Sequence, residues 1–117
     1  MDGKTQIPAA VETQARRFCE MLGVNSEVNL PLIAAGITAI TEAFRVSPEA
    51  LELNSVFFRE LKPPFMREVD GVEMVMSVEK SMGRFMDSDS ASALTQIYLV
   101  SVADWLLLLL RAKWQSE

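Results

Sequence analysis

The stretch Ile97–Trp114, IYLVSVADWLLLLLRAKW, is the most apolar run of the chain, and how it is read decides the fold. It carries one carboxylate, Asp104, near its middle and two cations, Arg111 and Lys113, at its end. A membrane-spanning helix needs about 20 mostly apolar residues. The best window, Leu94 to Leu110, is shorter and holds Thr95, Gln96, Ser101 and Asp104, and an aspartate near the centre costs on the order of 3 kcal/mol for insertion. No membrane span is favoured. The sequence instead predicts a long apolar C-terminal helix from about Ala91 to Trp114, capped by one of Ser88, Asp89 or Ser90 and roughly 36 Å in length. Along it Ser101, Asp104, Leu108 and Arg111 line up as a narrow polar seam, and a helix apolar everywhere else must be covered nearly all round. Asp104 and Arg111 are expected to pair with each other or, failing that, to leave Asp104 as the polar handle of a dry pocket.

Half of the 117 residues are hydrophobic, more than a small monomer easily hides. A twofold homodimer would absorb the surplus, with Tyr98, Trp105, Leu109 and Trp114 of the last helix as its interface. The length suits one domain over residues 1–117.

Working back from the last helix, turn signals recur at intervals suited to helices. Pro8 opens a first helix with Val11, Ala15, Phe18 and Leu22 on one face, and Gly23 stops it. Asn29 is the expected cap of a second, with Pro31 in its first turn and Ile33, Ile37, Ile40 and Phe44 as its stripe. Gly36 costs that helix roughly 1 kcal/mol of propensity, which points to close packing there. Ser47, Pro48 and Glu49 predict a third helix ending at Pro63 and Pro64. Asp70 with Glu73 predicts a fourth, running through "GVEMVMSVEKSMGRFM" to Met86. No alternating strand pattern or hairpin turn appears, so an all-α, compact bundle of about five helices is expected.

Charge and composition exclude several functions. The net charge is −5, with both signs interleaved, so the basic stripe that nucleic acid requires is missing. There is no histidine and one cysteine, Cys19, which rules out an intrachain disulfide and a Cys–His or Ser–His catalytic pair. Cys19 reads as a small buried thiol. The opening "MDGKTQIP" has no apolar core and does not read as a secretory signal, and a cytoplasmic protein is expected. No phosphate-cradling glycine motif or other cofactor motif occurs, and "DSDSASALTQIY" fails the calcium-loop pattern at Ser92 and Tyr98. No cofactor is expected.

Two surfaces remain. Five of the seven methionines fall between Met66 and Met86, and the segment "LKPPFMREV" is non-helical yet apolar. Phe57, Phe58, Phe65, Met66, Met74 and Met86 are therefore the candidate partner-binding residues, since flexible thioethers and loop aromatics suit adaptable recognition. Separately, Glu49-x-x-Glu52 and Asp70-x-x-Glu73 are carboxylate pairs of a kind that holds Mg²⁺. On these four residues alone the chain resembles the all-α nucleotide pyrophosphohydrolases of the MazG type, which implies a metal-dependent hydrolase; the second pair runs in reversed order, and helix capping accounts for both. The leading expectation is a small interaction protein, such as an adaptor, inhibitor or chaperone-like factor, with an apolar small-molecule binder as a further alternative.

Overall fold

A computed structural model describes residues 7–65 and 67–115. Its first helix, α1 (Ala9–Leu22), starts after Pro8 and ends at Gly23, whose left-handed conformation returns the chain amide to Cys19 and Glu20 carbonyls. Val11, Ala15 and Phe18 are buried against α2 (Ser26–Phe44). The cap of α2 is Asn25, not Asn29: its side chain accepts from the Glu27 amide, at 2.8 Å. Asn29 lies one turn inside and donates to the Asn25 carbonyl. The earlier start is possible because Pro31 sacrifices only one intrahelical bond, while Asn25 satisfies an amide that Asn29 would have left open.

The expected third helix does not form. Pro48–Ala50 makes one 3-10 turn, and the chain then runs irregularly past Leu51, Phe57 and Leu61, all buried. Gln14 of α1 stabilises this turn, donating to the carbonyls of Pro48 and Leu51 from a buried position. β-Branched Val56 and aromatic Phe57 and Phe58 are weak helix formers. They pair with a distant segment instead. Val56 and Ser101 form an antiparallel bridge, flanked by bonds from the Phe57 amide to the Val100 carbonyl and from the Val102 amide to the Ser55 carbonyl.

That pairing also removes the long C-terminal helix. The sequence from Ser88 onward forms α4 (Ser88–Leu94) and α5 (Val102–Leu110), separated by an extended connection. Ser101 is the cap of α5, accepting from the Asp104 amide at 3.1 Å. Ser101 and Asp104 therefore mark a helix start, with the carboxylate near the positive end of the dipole, rather than a seam along a continuous helix. Likewise α3 (Gly71–Met82) opens at the predicted Asp70 cap, but stops at Gly83 instead of reaching Met86.

The helices surround α2, which meets α1, α3 and α5. Gly36 is where α5 comes closest: a Cβ there would stand 2.7 Å from Leu106 Cδ2 and 2.9 Å from Leu109 Cδ2. The core is one cluster containing Phe18, Phe44, Phe57, Met74, Trp105 and Leu106. Among the described residues there are five α-helices and no strand, as expected of an all-α bundle, and no helix is long and apolar enough to cross a membrane.

Candidate interaction surface

Two loops meet at the C-terminal end of α2 and leave aromatic side chains outside. In the first, residues 56–61 form a tight turn in which the Glu60 carboxylate accepts from the Val56 amide at 2.9 Å and from Arg59 Nε at 3.0 Å. The Val56 bond, aided by Arg59, holds the Glu60 carboxyl below its usual range. The turn forces Phe58 to φ 69°. In the second loop Leu99 takes φ 59°, and its amide donates to the Phe57 carbonyl. A bulky residue in the left-handed region costs about 1–2 kcal/mol. Two of them on facing loop tips mark a geometry held by its surroundings.

Those surroundings are aromatic. Phe57 stacks on Phe44 at 5.3 Å and meets Trp105 edge-on at 6.4 Å, all three buried. Half-buried Phe58 packs edge-on against Phe44 at 5.6 Å and carries Tyr98 on its outer side at 5.7 Å. Tyr98 is 73% exposed and Leu99 53%. The loop after Leu61 returns to the same end of α2, where Arg67 Nε donates to the Ala43 carbonyl, and it presents Phe65 at 93% exposure. Phe58, Tyr98 and Leu99 form an apolar corner, and Phe65 is exposed on the second loop near the same end of α2.

The structure divides the sequence-predicted binding residues. Phe58 belongs to this corner and Phe65 to the exposed loop near the same end of α2; Phe57, Met74 and Met86 are core; Met66 lies outside the described residues. Tyr98 and Leu99 complete the corner: a continuous helix would set Tyr98 on a dimer interface and give Leu99 no role, whereas both lie on the connection between α4 and α5. Of the other interface candidates, Trp105 and Leu109 are fully buried within their own chain, and Trp105 Nε1 donates to the Leu94 carbonyl at 2.9 Å. Trp114 is half-buried under Arg84, whose guanidinium lies 5.2 Å from its ring centre.

The carboxylates do other work. Asp70 caps α3, Glu73 pairs with Arg67 at 2.9 Å, and Glu49 and Glu52 are exposed. Among the described residues no three acidic or cysteine side chains come together as a metal-holding group. Asp104 and Arg111 make no ion pair among the described residues, and both are exposed, so Asp104 sits in no dry pocket. An apolar concavity lies elsewhere: a half-open groove of about 440 Å³ between α1, α2 and α3, lined by Val11, Pro31, Ala34, Ala35, Thr38 and Met82. Cys19 is buried as expected, and burial pushes its thiol pKa up against the lowering influence of Arg16.

Compared with known proteins, the chain matches no family model, no curated protein and no solved structure.

Proposed function

We propose that this chain is a small protein-interaction module that docks another protein on the Phe58, Tyr98 and Leu99 corner and the nearby exposed Phe65. The exposure of Phe65 and Tyr98 beside a positive-φ Leu99 carries the reading. Aromatic side chains with few rotatable bonds lose little entropy on docking and are favoured anchors at interfaces. The corner is built on the buried Phe44, Phe57 and Trp105 rings, so its outer members are positioned before a partner arrives. The chain's charge of −5 favours a partner with basic residues around an apolar centre, met in the cytoplasm.

The test is a comparison of the wild-type chain with Phe65→Ser/Tyr98→Ser as baits, followed by a titration of any partner recovered. The reading requires a partner whose affinity falls at least about tenfold in the double variant. Equal affinity for both baits would falsify it.

A second reading rests on the 440 Å³ groove, whose size suits a small apolar ligand. Thr38→Trp would fill it. Native mass spectrometry showing a co-purified molecule in the wild type and none in that variant would favour this use.

A further inference from the structure

The side of α3 that faces away from α2 is also unusual. Met74, Val75 and Val78 point into the core, while Val72 and Met76, four residues apart, lie on the opposite face, with Met76 61% exposed. A groove of about 670 Å³ adjoins Met76 on the charged side of the helix, lined by Glu42 of α2 and by Glu73, Ser77, Lys80 and Phe85, and Phe85 is 66% exposed. Gly83 ends the helix in a left-handed conformation, φ 69°.

The charges on this face are arranged for a copy of themselves. Glu73 is in the first turn and Lys80 in the last. Seven residues apart, they lie on one side of the helix yet are too distant to pair within it. Glu73 uses one oxygen on Arg67, and Lys80 has no ion pair among the described residues. Its helical neighbours three and four residues away, Met76, Ser77, Gly83 and Arg84, offer no carboxylate.

We propose that α3 packs antiparallel on α3 of a second copy, about a twofold axis level with Met76 and Ser77. Placing the axis there sets Glu73 of each chain level with Lys80 of the other, giving two equivalent ion pairs along one edge. Along the other edge the two Met76 side chains meet, flanked by Val72 of each chain. The face thus pairs Glu73 with Lys80 reciprocally and apolar edge with apolar edge, as an isologous contact demands, and the antiparallel arrangement opposes the helix dipoles. A second copy is favoured over a foreign partner because Glu73 and Lys80 each find their opposite on the same surface, while Glu79 is engaged by the Met86 amide and Glu42 by the Ser77 hydroxyl. Three turns of helix make a contact at the small end of specific interfaces, so the dimer is weak, with a Kd on the order of 10–100 µM.

Sedimentation equilibrium over a concentration series tests this directly. The wild type should dimerise, Lys80→Glu should weaken the dimer at least about tenfold, and Glu73→Lys/Lys80→Glu should restore it. Circular dichroism confirms that each variant is folded. A cross-linking assay does not depend on the charge variants: Cys19 is buried, so Met76→Cys supplies the single accessible thiol. Under mild oxidation it should form a covalent dimer much faster than Met21→Cys, placed at the comparably exposed Met21 position on α1. Phe65→Ser, on the exposed loop after Leu61, should leave the dimer unchanged. A chain that stays monomeric at millimolar concentration, a dimer indifferent to Lys80→Glu, or cross-linking no faster than the α1 control would each overturn the proposal.

Discussion

Gly71, the first residue of α3, lies directly on the backbone of Thr95, the C-cap of α4: a Cβ on Gly71 would overlap the Thr95 carbonyl group. Backbone cannot turn aside as a side-chain tip can. Gly71→Ala should therefore lower stability by about 2–3 kcal/mol through overpacking. Gly36→Ala meets only the methyl ends of Leu106 and Leu109 and regains helix propensity, so its net cost should stay within about 1 kcal/mol. Denaturant melts of the two variants check the ranking.

Trp105 joins α5 to α4 through its bond to the Leu94 carbonyl. Trp105→Phe keeps most of the packing but leaves that buried acceptor without a donor, at a cost of about 1–3 kcal/mol. The same substitution should remove the blue-shifted part of the tryptophan emission, leaving Trp114 to report a more solvated site. Chemical denaturation followed by fluorescence measures both effects.

Acid should weaken the 56–61 turn and the start of α4. The Val56 amide lowers the Glu60 pKa, and the Ser90 amide and hydroxyl, with help from Lys113, lower that of Asp87. A carboxylate depressed in the folded state stabilises above its unfolded value, here 4.5 for Glu60 and 3.8 for Asp87, and that contribution is lost as pH falls through the folded value. Melts of the wild type from pH 5 downward should therefore steepen relative to Glu60→Gln and Asp87→Asn, which keep an acceptor but do not titrate.

Cys19 should behave in the opposite sense. Its pKa is raised in the folded state, so the thiol's contribution is complete below the unfolded value of 9.0 and declines as pH rises through the folded value. Stability of the wild type should fall above pH 9 more steeply than that of Cys19→Ala. Alkylation of the native thiol should track unfolding, proceeding at least about a thousandfold more slowly than in denaturant; labelling at the unfolded rate would contradict its burial.

The parts of the fold legible in the sequence are those fixed by local chemistry. Pro8, Gly23 and Asp70 bound their helices through capping and backbone preference, which need no tertiary information. Ser101-x-x-Asp104 carried an equally local start signal, but the apolar run around it outweighed that signal, and two helices were merged into one. The "PEALELNSVFFREL" segment failed for a different reason. Its helical pattern was overruled by Val56 and Phe57 pairing with residues near Ser101, a partner no neighbouring residue announces. At the surfaces, Met74 and Met76 are two positions apart and so point to opposite sides of α3. Which one faces solvent depends on where α2 lies, and composition does not encode that.

The Val56–Ser101 bridge also sets an order of events during folding. Contacts of α2 with α1 close the short loop 23–25 and those with α3 close the connection 45–70, whereas the bridge must bring together segments separated by α3 and α4. Long closures carry more entropy loss and are slower to form. Phe58 and Tyr98 stay apart until that closure is made, so the aromatic corner is the last surface to mature. A nascent or partly unfolded chain with most of its helices in place would lack this corner, so under the proposed function a partner would recognise only the completed fold.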